Sequence, residues 1–201
     1  MRNLQDVIVI GATGSDFDAL CTVIGGLEAT ATTIILVALQ SSPVRPGRAA
    51  DLLAHCARLP VCYGHHKAEL RPCQIYLSPP DRHLIVAEPD FLLLKRGPRG
   101  KFAGSSTDQL FQSAALVYGP RVVGVVLSGY GGDSLVGCCA IKAAGGVVIV
   151  QDPAKARIPA MPAYVLSGIK PDYCPALDEI AGVINGLNER LDVQQSGRLP
   201  A

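Results

Sequence analysis

The stretch Val122–Gln151, VVGVVLSGYGGDSLVGCCAIKAAGGVVIVQ, decides the fold. Its two apolar runs, Val122–Leu127 and Val147–Gln151, are rich in β-branched residues and do not alternate with polar ones. Strands covered on both faces of a parallel sheet read this way. Between the runs lie a glycine-rich turn (Ser128–Asp133), a helical stretch (Ser134–Ala144) and the paired stop Gly145–Gly146. Asp133 stands where a helix N-cap belongs, and the glycines stand where the helix must end. In doubly wound sheets, sites gather beyond the carboxyl ends of the strands. The Gly129–Asp133 turn is therefore the first place where chemistry is expected.

Outward from this unit the same grammar continues. Val7–Ile10 and Thr32–Leu39 read as buried strands, and Asp16–Leu27 and Arg48–Arg58 as helices with one apolar face. Pro60–Tyr63, Gln74–Ser78 and Leu84–Glu88 read as short strands, and an antiparallel edge hairpin is expected near Leu84–Lys101, with the basic segment LLLKRGPRGK at its tip. Ser106-Thr-Asp-Gln109 has the spacing of a capping box and opens a further helix. After the central unit come a Pro-punctuated loop (Asp152–Pro162), a short helix near Ala163–Ser167 and an amphipathic helix over Leu177–Leu191. The expected class is α/β, a doubly wound, mostly parallel sheet with helices on both faces. One domain over residues 7–191 and a frayed tail over 192–201 are expected.

Composition excludes several classes. The 201 residues carry 49% hydrophobic and 17% charged side chains, which suits a globular core rather than disorder. A net charge of +1 offers no field for nucleic acid or an anionic membrane. No apolar run is long enough for a signal peptide or membrane span, so a cytoplasmic protein is expected. Seven cysteines form no CxxC pair and are read as buried reduced thiols. Four histidines lack metal-ligand spacing, so neither a metal nor a cofactor is expected.

Two chemistries compete at the first turn. GATGSDF after a buried strand has the look of a dinucleotide fingerprint. Phe17, however, stands at the third glycine position, the second strand ends Leu39-Gln40-Ser41 without an acid, and no Gly-Lys-Ser/Thr follows. Nucleotide binding is the weaker alternative. The other reading starts from three strand ends that deliver Thr13, Ser41 and Asp133 to one rim. A hydroxyl at the mouth of a first strand, with partners from later strand ends, is the geography of nucleophilic ester hydrolysis. Taken singly, Thr13 suits an ordinary turn hydroxyl and Asp133 a simple cap.

Longer motifs give these positions a context. GVVLSGYGGDSLVG (Gly124–Gly137) is similar to the G-V-I-L-T-G-M-G-x-D-G-x-x-G of the chemotaxis receptor protein-glutamate methylesterases, the CheB type. IGAT (Ile10–Thr13) resembles their I-G-A-S, and IYLSPPDRHL (Ile75–Leu84) their Y-I-A-P-G-x-x-H-L. SSTDQLF (Ser105–Phe111) and VQDP…AMP (Val150–Pro162) match P-S-V-D-x-L-F and A-Q-D-x…G-M-P in the same order along the chain.

This resemblance implies a Ser-His-Asp triad whose positions fall on Thr13, Ser41 and Asp133. Only the aspartate keeps its identity. The oxyanion-turn methionine falls on Tyr130, whose backbone N–H can still donate. His83 matches a family histidine outside the triad and is the candidate for a relocated base.

A hydroxyl at neutral pH needs a base within hydrogen-bond reach, and Ser41 cannot serve. Loss of triad members costs about 10⁴- to 10⁶-fold in turnover. The expectation is a methylesterase-like protein of a chemotaxis-like pathway, inactive or very weak. Its implied partner is a methyl-accepting receptor or another signalling protein, and no receiver domain is expected in cis. The enzyme alternative is an active ester hydrolase or deamidase using Thr13 and a base from elsewhere.

Overall fold

A computed structural model of the protein describes residues 7–28, 33–40, 48–96, 106–131 and 134–196, with side chains to residue 187. The elements in order are β1 (Val7–Thr13), α1 (Phe17–Gly26), β2 (Ile34–Gln40), α2 (Ala49–Cys56), β3 (Val61–Tyr63), β4 (Ala68–Glu69), β5 (Gln74–Leu77), β6 (Arg82–Glu88) and β7 (Phe91–Arg96). There follow α3 (Ser106–Tyr118), β8 (Val122–Val126), α4 (Leu135–Ala143), β9 (Val147–Val150), α5 (Ala160–Gly168) and α6 (Leu177–Ser196). Six strands form one sheet in the order β3-β5-β2-β1-β8-β9, every pair parallel. The α/β class read from the apolar runs is the one observed.

The uninterrupted apolar runs are explained by the two faces they serve. Along β1, Val7 and Val9 enter a core with Leu110, Phe111 and Ala114 of α3 and Cys138 and Ile141 of α4. Ile8, Ile10 and Ala12 enter the opposite core with Leu20, Val23 and Ile24 of α1, Leu53 of α2 and Ile180 and Ile184 of α6. Since side chains alternate along a strand, a strand buried on both sides has no position left for a polar residue.

Four local expectations are corrected. The hairpin β6–β7 turns at Pro89–Asp90, where Asp90 takes φ 67°, and it belongs with β4 to a separate three-stranded antiparallel sheet rather than to the edge of the main one. The basic residues Lys95 and Arg96 end β7 instead of forming its tip, and 97–101 lies outside the described residues. The capping box does not close. Ser106 is already helical, and Ser106 Oγ and Gln109 Oε1 are buried without partners, while Asp108 Oδ1 accepts Gly137 N–H of α4 at 2.6 Å. The N-cap of α4 is Ser134, with φ 92°, not Asp133. Two boundaries also shift: α5 begins at Ala160, and α6 runs to Ser196, beyond the expected end.

Candidate functional site

The site begins with the odd-numbered row of β1. Val7, Val9, Gly11 and Thr13 share one face by strand alternation. Gly11 carries no side chain because α3 comes too close: a Cβ there would collide with Thr107 Cγ2 and lie 3.4 Å from Ser134 Oγ. The first glycine of the nucleotide-like turn is thus a strand residue spent on helix packing. Thr13, the last residue of β1, is 3% exposed, and its Oγ1 lies 2.7 Å from Ser15 Oγ. Its side chain also rests on the central turn. A Cβ on Gly129 would fall 2.6 Å from Thr13 Oγ1 and 2.5 Å from Thr13 Cγ2.

The start of that turn, Ser128–Gly129, is held by hydrogen bonds. Ser128 N–H donates to buried Gln151 Oε1 at 2.7 Å, and Gly129 N–H donates to the Ile158 carbonyl at 2.9 Å. Ser128 Oγ accepts from Ile158 N–H at 2.9 Å, and Gly129 carbonyl accepts from Met161 N–H of α5 at 2.9 Å. Tyr130, next in the chain, is 66% exposed, and its N–H has no acceptor among the described residues. Such an amide, projecting from a fixed turn beside a hydroxyl, is a candidate oxyanion donor.

The neighbouring strand ends converge here. Thr13 is the register partner of Gln40, the last residue of β2, and Gln40 Nε2 donates to Thr107 Oγ1 at 3.3 Å. Leu127, just past β8, donates its N–H to the Gly11 carbonyl at 3.1 Å. Ser41 and Asp133 lie outside the described residues. The residues that precede or follow them in sequence, Gln40 and Ser134, both meet the β1–α3 contact at Gly11 and Thr107. Asp16, three residues after Thr13, is buried, with Arg157 Nη1 4.0 Å from its carboxylate.

None of the four histidines of the chain hydrogen-bonds to Thr13 or Ser15. His55 Nδ1 meets the Asp51 carbonyl on α2, His66 Nδ1 accepts from Leu94 N–H, and His65 is exposed after β3. His83, the candidate relocated base, is buried on β6 opposite Lys95, and both its ring nitrogens lack partners. Burial, reinforced by the Lys95 cation, lowers its pKa below the ordinary 6.5, so the ring is neutral at pH 7. No group of three His, Cys, Asp or Glu residues among those described could hold a metal ion.

The sequence reading missed two contributors. Gln151 shows no chemistry in the pattern, yet its amide fixes the turn. Thr107 is a small hydroxyl residue whose significance comes only from what it touches.

Comparison with known proteins shows the family and the fold. The family model for CheB methylesterase matches residues 8–184. A protein of Leptospira interrogans (serovar copenhageni) carries the provisional name protein-glutamate methylesterase/protein-glutamine glutaminase. It is 28% identical over 184 residues, covering 92% of this chain and 95% of its own length. Protein-glutamate methylesterase/protein-glutamine glutaminase 2 of Caulobacter vibrioides is 31% identical over 90% of this chain, which spans 53% of that protein. The crystal structure of the Thermotoga maritima CheB methylesterase catalytic domain superposes with a TM-score of 0.82 at 24% identity, covering 91% of this chain and 98% of that one. The last likeness bears on the fold; the family model, over most of the length, shows that this chain belongs to the CheB methylesterase family.

Proposed function

We propose that the chain keeps the methylesterase scaffold but hydrolyses glutamyl methyl esters only very weakly or not at all. It would act in the cytoplasm, in a chemotaxis-like pathway, through contact with a methyl-accepting receptor or another signalling protein. The observation that carries this reading is the environment of Thr13. Its hydroxyl is paired with another hydroxyl, Ser15, and no imidazole reaches it. Ser15 cannot accept a proton usefully at neutral pH, so the nucleophile has no base among the described residues. The threonine methyl adds a second obstacle, since it stiffens χ1 and crowds the hydroxyl against Gly129. A role in docking is supported by exposed Tyr130, Val136 and Tyr164, carried by the turn, α4 and α5; Met161 of α5 bonds the Gly129 carbonyl, and Leu135 at the start of α4 packs against Gly168 of α5.

One observation favours the enzyme alternative. His83 is neutral, buried and without a partner, as a stored base would be. Methanol release from a methylated receptor or glutamyl methyl ester peptide separates the two readings. The proposal expects wild type to match Thr13→Ala at background. Robust turnover abolished by both Thr13→Ala and His83→Ala would replace it with the relocated-base hydrolase.

A further inference from the structure

On the face of the sheet opposite the Thr13–Thr107 row, Cys21 of α1 and Cys56 at the end of α2 bring their Sγ atoms to 2.6 Å. Both residues are half-buried, not buried as expected of the chain's thiols, so small reagents reach them. The helices approach closely beneath the pair, a Cβ on Gly25 lying 3.1 Å from the Cys56 carbonyl oxygen. A disulfide needs its sulfurs at about 2.05 Å. The two sulfurs therefore stand about half an ångström from bonding distance on helices already in contact. We propose that Cys21 and Cys56 form a reversible disulfide, a redox-modification site that ties α1 to α2.

The pair lies close to the site in sequence. α1 follows the Thr13 turn directly, and α2 follows the segment that contains Ser41. A bond between them closes a loop that contains β2 and Ser41, while Thr13 precedes it. Closing such a loop removes conformational freedom from the unfolded chain and raises stability.

The oxidant fitted to this site is a small-molecule disulfide such as oxidised glutathione. The Cys56 thiolate attacks one sulfur of that disulfide, the S–S bond breaks, and a glutathione thiolate leaves. Cys21 then loses its proton, its thiolate attacks Cys56 Sγ, and the second glutathione departs. Two protein thiols are oxidised and one small disulfide is reduced to two thiols. Burial, with the neighbouring Cys56 and Asp18, pushes the Cys21 thiol up to about 12. Capping Cys56 removes its share of that opposition just before Cys21 must ionise.

The test incubates the full chain with oxidised glutathione, alkylates residual thiols and digests with trypsin. Cys21 and Cys56 fall on separate peptides, 3–48 and 49–58. The expected result is their cross-linking with loss of two of the seven free thiols, reversal by dithiothreitol, and a higher Tm in the oxidised form. Cys21→Ser should abolish the cross-link and the Tm rise while leaving the reduced protein folded. Glutathione adducts on Cys56 without cross-linking would overturn the proposal, as would cross-links scattered among the exposed Cys139 and Cys174. A repeat in urea separates fold-directed pairing from chance, since pairing as efficient in the unfolded chain would equally overturn it.

Discussion

Thr13 and Gly129 share one volume: the threonine side chain fills the space a Cβ on Gly129 would require, with Oγ1 2.6 Å and Cγ2 2.5 Å from that point. The end of β1 and the turn after β8 are thereby locked together, and no larger residue fits at either side without movement. Gly129→Ala should destabilise the protein by about 1–3 kcal/mol, the ordinary cost of overpacking. Thr13→Ala should relieve most of that loss, because it removes the two nearest atoms, Cγ2 and Oγ1, and leaves Thr13 Cβ at 3.1 Å. Urea unfolding of the two single variants and the double variant measures the coupling.

A second prediction concerns the same turn. Gln151 is 1% exposed, and its Oε1 holds Ser128 N–H at 2.7 Å. Gln151→Leu keeps the bulk and leaves a buried amide without an acceptor, which costs about 1–3 kcal/mol. The loss should appear in urea unfolding as a lower midpoint at unchanged slope.

His83 gives a pH prediction with a definite sign. Its folded-state pKa lies below the 6.5 of a free ring, so the unfolded chain takes up this proton first as the medium acidifies. The stability conferred by the neutral ring is complete above pH 6.5 and is lost as pH falls through the lower folded value. Unfolding measured between pH 7.5 and 5 should show this decline, and His83→Leu should flatten it. A decline of the same steepness in the variant would assign it to other groups.

The contrast between strands and turns explains what could be read in advance. Val7–Thr13 and Val122–Val126 are buried on both faces, and burial leaves a short apolar run rich in β-branched residues, as a covered parallel strand requires. The pairing of Thr13 with Gln40 and the approach of β8 to Gly11 then follow from strand order. Caps and turns were less legible because their signals are single residues. Ser106 and Gln109 have capping-box spacing, yet the helix begins at Ser106, and Asp108 instead reaches across to α4. Pro89–Asp90, not the conspicuous glycines further on, makes the hairpin, because Asp tolerates positive φ. At the site, Thr13 was recognisable from its motif, whereas its bond to Ser15 and the isolation of His83 depend on side-chain positions that no spacing encodes.

The central claim is that the scaffold persists while the chemistry has lapsed at Thr13 and Ser41. Its most direct test is methanol release from a glutamyl methyl ester substrate by wild type, Thr13→Ser, Ser41→His and the double variant. Turnover should appear only in the double variant, rising on the order of 10²-fold or more above wild type once nucleophile and base are both present. Wild-type turnover as fast as that of the double variant would contradict the claim, because the native residues would then already sustain the reaction.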